Sequence, residues 1–349
     1  MPIDLHAHYV PAELAECLRR RHTPPRIEAL SGGAERLHMP VGTLAFTADY
    51  LDMDARIAFM DRAGVRRQLL SLPGLFGIDS LPLDEADPFV RIFNDDVAAL
   101  CRRHPEHFSG LAALPLANMA AAVLEFRRAR LELGLIGAIL PVNAFITLAE
   151  AEKLRPLFAA AEELGAHIFI HPGRRADEIL RVPHAAPLDN ALARRALDVQ
   201  TQVGEAMITL LLSDFLDAYR NVSVHVANLG GTFPAVIERM DNAARLRTAG
   251  DVLPSSRARR VLVDCASLGP RAIELAVAVC GADRIVLGTD CPIFRTDWTL
   301  AAIREARLTE QERDKILTGN AAALLGRFGG NSSRLGTALP ERSPRAVAQ

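Results

Sequence analysis

The feature that most constrains the fold is a regular alternation of short apolar runs with longer amphipathic segments. Apolar strands that alternate with amphipathic helices indicate a parallel sheet covered by helices. Eight such units fit a closed (β/α)₈ barrel, and we therefore expect a protein of the α/β class with TIM-barrel architecture. An open doubly wound sheet would normally show a Gly-rich turn after its first strand, and residues 7–11 contain none.

The predicted strands are 3–8, 68–72, 110–114, 136–140, 167–171, 222–228, 261–265 and 285–290. The predicted helices are 47–62, 84–104, 117–133, 148–164, 189–218, 233–247, 270–280, 297–306 and 309–325.

The domain organisation follows from where this alternation starts and stops. We predict a single, distorted barrel over residues 1–326. Residues 12–46 interrupt the alternation after strand one and are predicted to be a small, irregular insertion subdomain, because a connection this long is usually functional or folded by itself. The polar residues 329–349 are predicted to be a disordered tail.

Composition excludes several classes of partner. The net charge is −2, with 50% hydrophobic and 23% charged residues, which gives no support for binding nucleic acid or an anionic membrane. No segment approaches the roughly 18 apolar residues of a membrane helix, and no secretion signal is recognisable. The five cysteines include no Cys-x-x-Cys pair, so we expect a reduced, cytoplasmic protein.

Polar residues at the predicted strand ends suggest a metal site. His6 and His8 are two residues apart on strand one and therefore point to the same face. His171 ends strand five and Asp290 ends strand eight, and in a barrel these ends meet at one rim. Three histidines and an aspartate suit Zn²⁺, or alternatively Mn²⁺ or another divalent first-row metal, with a water in the open position.

Each of these residues also has a simpler interpretation. A lone His-x-His is often an exposed or hydrogen-bonded pair, His171 before a proline can end a strand, and Asp290 can cap a helix. The placement of all four at strand ends on the first, fifth and eighth units favours the metal site.

Several motifs together resemble the amidohydrolase superfamily, and within it the amidohydrolase-2 branch, which holds the aminocarboxymuconate-semialdehyde, γ-resorcylate and 5-carboxyvanillate decarboxylases. The resemblance extends to about residue 326. The motifs are residues 3–8 with Pro11, 55–57, 60–65, 171–172, 230–234, 288–292 and 319–321.

The resemblance implies that His6, His8, His171 and Asp290 bind the metal, and that Asp290 also contacts the metal-bound water. The family usually has a proton-carrying histidine before the Gly-Gly of strand six, and here that residue is Asn228. An amide forms hydrogen bonds but cannot carry a proton near neutral pH.

Two nearby residues offer alternatives to Asn228. His225 lies at odd spacing from Asn228 and is expected to face the helices unless a bulge turns it round. Asp264, near the end of strand seven, is either a proton carrier or a structural residue.

Candidate substrate contacts follow strands five and eight. Arg174 and Arg175 can clamp a carboxylate, and His184 lies in the same loop. Phe294 can border an aromatic ring, although packing in the core is the commoner role.

Three functions remain open on this basis. The first is a metal-dependent, non-oxidative decarboxylase of a small aromatic or unsaturated carboxylic acid. The second is a hydrolase of an amide or lactone, or a hydratase, with Asp290 as base and Asn228 as oxyanion donor. The third is a barrel that binds metal without catalysis. The resemblance also implies a homodimer.

Overall fold

The computed structural model of the chain describes residues 1–40, 42–178, 189–247 and 252–328. The strands are β1 (Ile3–His8), β2 (Arg26–Ala29), β3 (Glu35–His38), β4 (Thr43–Phe46), β5 (Arg67–Ser71), β6 (Phe108–Gly110), β7 (Gly137–Pro141), β8 (His167–His171), β9 (Ser223–Val226), β10 (Leu262–Asp264) and β11 (Ile285–Val286). The helices are α1 (Ala12–Arg19), α2 (Met53–Ala63), α3 (Leu83–Arg103), α4 (Met119–Leu131), α5 (Leu148–Glu152), α6 (Arg155–Leu164), α7 (Ala191–Leu212), α8 (Phe233–Arg247), α9 (Pro270–Cys280), α10 (Thr296–Glu305), α11 (Glu310–Asp314) and α12 (Asn320–Gly326).

Eight parallel strands form one closed ring. They pair as β1-β5-β6 and as β11-β10-β9-β8-β7. Hydrogen bonds join these two sheets at both edges: the Ala112 amide donates to the Gly137 carbonyl (2.9 Å), and the Leu5 amide donates to the Leu287 carbonyl (2.8 Å). The ring with its surrounding helices confirms the predicted barrel.

Local signals in the sequence position the barrel helices. The Asp52 carboxylate accepts from the Ala55 amide (2.9 Å) and so caps the N-terminus of α2. Gly64 ends the helix with a φ of +71°, a left-handed conformation that favours glycine. The strands β7 and β8 are buried at every residue, as expected for a parallel sheet covered on both faces.

The insertion is more regular than predicted. Residues 12–46, which we expected to be irregular, contain α1 and an antiparallel sheet in the order β2-β3-β4. Ser31–Gly33 makes the turn between its first two strands, and the buried Ile27, Leu37 and Phe46 join the main core. The strands were missed because each is only four residues long, which leaves little periodicity to detect.

Some helix boundaries also differ from the sequence-based expectation. The helix predicted at 148–164 is divided into α5 and α6, and the one predicted at 189–218 ends as α7 at Leu212. The last predicted helix contains a π-helical turn at Lys315–Gly319 between α11 and α12. Among the described residues, none of these helices has both the length and the apolar composition needed to cross a membrane.

Candidate metal centre

Four predicted ligands converge at the carboxyl ends of the barrel strands. His6, His8, His171 and Asp290 each offer one ligand atom, and these atoms all lie within 4.8 Å of one another. The Nε2 atoms of His8 and His171 are 3.2 Å apart, and Asp290 Oδ1 lies 3.0 Å from His8 Nε2 and 3.4 Å from His6 Nε2. All four residues are buried.

The opposite nitrogens of these rings are engaged elsewhere, which fixes the direction of the lone pairs. His171 Nδ1 donates to the Pro172 carbonyl (2.8 Å), and His6 Nδ1 donates to Asp264 Oδ2 (3.0 Å). Their Nε2 atoms are therefore the ones that face the cluster, where each can offer a lone pair to a cation that displaces any proton. His6 Nε2 and Asp290 Oδ1 are buried without a hydrogen-bond partner among the described residues. Such converging acceptors fit a first-row divalent cation.

The charges of the cluster also favour a cation. Burial by itself would raise the pKa of Asp290, but the His6 and His8 imidazoles hold that pKa well below its usual range. Burial alone would lower the pKa of His6, but Asp264 and Asp290 raise it to about 10. Burial lowers the pKa of His8 and of His171. The carboxylates thus stabilise positive charge among imidazoles that are mostly neutral.

Asp4 connects the strands that carry the ligands. Its Oδ1 accepts from the backbone amides of His6 (3.1 Å) and Thr289 (3.0 Å), and its Oδ2 accepts from Gln68 Nε2 (3.0 Å) and the Thr289 hydroxyl (2.6 Å). Gln68 in turn accepts from the buried Arg56 (3.1 Å). This network fixes β1 against β5 and against the segment that presents Asp290.

Asp290 lies in a tight turn directly after Thr289. Its φ of +59° is left-handed, which an aspartate tolerates better than most residues. Its amide donates to the His6 carbonyl (2.8 Å), so the backbone of one ligand holds another.

The structure corrects the predicted orientation of His225. His225 Nε2 donates to Asp264 Oδ2 (2.9 Å), the oxygen that also accepts from His6, so the His225 ring lies next to the metal cluster and does not face the helices. The error came from counting strand alternation back from Asn228. The strand β9 ends at Val226, and Asn228 has a φ of +57° in the turn beyond it, where alternation no longer applies.

Asn228 and Asp264 are neighbours at this turn. The Asn228 amide donates to Asp264 Oδ1 (3.2 Å), while the side-chain Oδ1 of Asn228 is buried without a hydrogen-bond partner among the described residues. Asp264 also accepts from the Ala266 amide (2.9 Å). With both of its oxygens engaged, Asp264 supports His6 and is poorly placed to carry protons.

The predicted substrate contacts have mixed surroundings. Arg174 is partly buried and donates to the Glu178 carbonyl (3.2 Å), whereas Arg175 pairs with Asp177 (3.0 Å) and Glu150 (3.2 Å). Phe294 is 38% exposed. His184 lies outside the described residues.

Sequence reasoning did not identify Asp79, a buried carboxyl in the loop after β5. Its Oδ1 has no hydrogen-bond partner among the described residues, and burial raises its pKa to about 7. The native carboxyl therefore keeps a proton that the unfolded chain, with a pKa near 4, has lost.

This difference predicts a pH effect on stability. As pH rises from 5.5 to 7, Asp79 should reduce the free energy of unfolding by roughly 1.5 kcal/mol, because the slope of about 1.4 kcal/mol per pH unit falls to half as the pH reaches the native pKa. Asp79→Asn should remove this contribution, so the variant should lose less stability than the wild type over the same range. Urea unfolding of both proteins at the two pH values measures the effect. Equal losses in the two proteins would contradict it.

Comparisons with known proteins identify the family of this chain and its similar proteins. A family model described as "Amidohydrolase" matches residues 3–327. The chain is 27% identical over 283 residues to a 2-amino-3-carboxymuconate-6-semialdehyde decarboxylase of Dictyostelium discoideum, covering 79% of this chain and 77% of the relative. It is 27% identical over 295 residues to a gamma-resorcylate decarboxylase of Rhodococcus jostii, covering 78% and 86%. A manganese-bound 5-carboxyvanillate decarboxylase of Novosphingobium aromaticivorans has a similar fold, with a TM-score of 0.71, 20% identity, and coverage of 92% of this chain and 95% of that one.

Proposed function

This chain belongs to the amidohydrolase family, and from that membership we propose that it is a metal-dependent, non-oxidative decarboxylase of a small aromatic or unsaturated carboxylic acid. The observation that carries the proposal is the convergence of His6, His8, His171 and Asp290 within 4.8 Å at the barrel rim. The two relatives at 27% identity are both decarboxylases of unsaturated or aromatic acids, which supports this reaction over others.

The four ligands define what the site offers chemically. A divalent cation held there would supply a Lewis acid that polarises a substrate oxygen. His6, His8 and His171 direct their Nε2 atoms inwards, and Asp290 adds one negative charge. The ligands are buried, so little water surrounds the reacting groups and the electrostatic interactions are strong.

The reaction replaces the substrate carboxylate by a proton and releases CO₂. We assign the transfer of a proton from solvent to the substrate carbon to the Asp290 carboxylate, through the oxygen other than Oδ1, because Oδ1 faces the cation site beside His8 Nε2. Asn228 cannot exchange a proton near neutral pH, so its amide orients the substrate by hydrogen bonding. Arg174 and Phe294 remain predicted contacts for the substrate carboxylate and ring, and His184 is a further predicted contact.

The proposal is tested by loading the protein with Mn²⁺ and supplying 2,6-dihydroxybenzoate, 5-carboxyvanillate and 6-methylsalicylate. We expect at least one acid to release CO₂ in an amount equal to the decarboxylated product, without oxygen consumption. A product that has gained water, with no CO₂, would favour a hydrolase or hydratase. Full metal occupancy with no turnover of any acid or amide would favour the non-catalytic barrel.

The finer properties of the protein stay predictions. Zn²⁺ is the metal expected from the ligand types, but the manganese-bound fold relative makes Mn²⁺ an equal candidate. Metal analysis of the purified protein decides between them. A homodimer and a cytoplasmic location also remain predictions, the first testable by light scattering.

A further inference from the structure

The buried histidine His225 has no role in the proposed reaction, yet it is linked to the metal cluster through a single carboxylate. Its Nε2 donates to Asp264 Oδ2 (2.9 Å), and the same oxygen accepts from His6 Nδ1 (3.0 Å). His225, Asp264 and His6 are each 0% exposed. Three side chains from β9, β10 and β1 thus form one hydrogen-bonded row that ends at a predicted ligand.

We propose that His225 is a positioning residue for the metal centre. It holds Asp264 in place by a hydrogen bond, and Asp264 in turn orients His6 as a ligand. The inference rests on the proposed function for the metal site alone and does not depend on the decarboxylation reaction. The Asp264 Oδ1 atom is already fixed by the backbone amides of Asn228 (3.2 Å) and Ala266 (2.9 Å). His225 supplies the only second donor to Oδ2 among the described residues, so it fixes the oxygen that orients the His6 ring.

The packing around His225 restricts the orientation of the His225 and His6 rings. Its ring stacks on Phe169, with centroids 4.4 Å apart and planes 16° apart, and Phe169 in turn contacts the His6 ring edge-on at 4.9 Å. His225 therefore reaches His6 by two routes, one through hydrogen bonds and one through an aromatic ring. Outer groups that orient a ligating histidine typically affect metal affinity by about 10–100-fold.

A matched control lies on the neighbouring strand. His167 is also 0% exposed and stacks against the His225 ring, with centroids 5.7 Å apart. Its Nδ1 bonds the Ser223 hydroxyl (2.9 Å), and it has no described hydrogen bond to Asp264. Replacing His167 therefore perturbs the same layer of the core but leaves the hydrogen bonds among His225, Asp264 and His6 in place.

The test measures binding of Mn²⁺ alone to the full-length protein, by the EPR signal of the free ion, for His225→Leu, His225→Gln and His167→Leu. His225→Leu should weaken Mn²⁺ binding about 10–100-fold. Because a glutamine amide can occupy the place of Nε2 and donate to Asp264, His225→Gln should recover most of the affinity. His167→Leu should bind Mn²⁺ as the wild type does, although its unfolding midpoint in urea should fall.

Other results would overturn the inference. Wild-type Mn²⁺ affinity in His225→Leu, or equal weakening in His225→Leu and His167→Leu, would show that His225 acts only through core packing. If His225→Leu does not fold, His225→Gln is compared with His225→Asn, whose amide is too short to reach Asp264. Equal Mn²⁺ affinity in these two variants would also overturn it. No substrate is present in these measurements, so failure of the decarboxylase proposal leaves their outcome interpretable.

Discussion

The variant His171→Ala is expected to bind Mn²⁺ about 100- to 1,000-fold more weakly than the wild type. Structural metal sites contribute about 10–16 kcal/mol over four ligands, so one ligand accounts for roughly 3 kcal/mol, and each 1.4 kcal/mol is a factor of ten in Kd. His171 suits this test because its Nδ1 bonds only the adjacent Pro172 carbonyl among the described residues, and its Nε2 faces His8. Decarboxylation of an accepted acid should fall about 1,000-fold, since the Lewis acid contributes several kcal/mol to the rate.

Thermal unfolding gives an independent measurement. Mn²⁺ at 100 times its Kd should stabilise the wild type by about 2.7 kcal/mol, and His171→Ala should show almost none of this gain at the same concentration. The control is His38→Ala, because His38 lies in the insertion and pairs with Glu28 at 2.6 Å. His38→Ala should bind Mn²⁺ normally. If His171→Ala binds and responds to Mn²⁺ like the wild type, the cluster is not the metal site.

The variant Gly288→Ala is expected to destabilise the fold and to weaken metal binding, because the added methyl group would collide with Asp264 and His6. A Cβ at this position would lie 2.7 Å from both Cβ and Cγ of Asp264 and 2.8 Å from Cβ of His6. These atoms belong to short side chains near the backbone of two packed strands, so they have little freedom to move. We expect a loss of about 3 kcal/mol in the free energy of unfolding, as for overpacked cores. Displacement of His6 and Asp264 should also weaken Mn²⁺ binding about 10–100-fold.

Gly326→Ala is the matched control for this variant. An added Cβ at Gly326 meets no described atom within 4 Å, and the backbone of Gly326 is not left-handed. Because Gly326 is helical, the alanine should be neutral or stabilise by up to about 1 kcal/mol. Urea unfolding and Mn²⁺ titration of both variants measure the two effects. Wild-type stability and Mn²⁺ affinity in Gly288→Ala would show that the close packing at this strand is not required.

The insertion shows where the prediction of the fold reached its limit. The eight long repeats predicted the barrel because each repeat buries an entire strand and one face of a helix, which leaves a clear pattern. The strands β2, β3 and β4 are four residues long and only Ile27, Leu37 and Phe46 mark their inner face. With so few buried positions in each strand, local periodicity did not reveal them.

The sequence by itself determined which side chains form the candidate metal cluster, because His6, His8, His171 and Asp290 stand at strand ends that a closed barrel must bring together. Only the tertiary structure decided how the cluster is supported. The row from His225 through Asp264 to His6 joins residues 39 and 258 positions apart, and the turn at Asn228 breaks the alternation that would place His225. Strand alternation is a local property, whereas the partner of a buried donor depends on how distant strands pack.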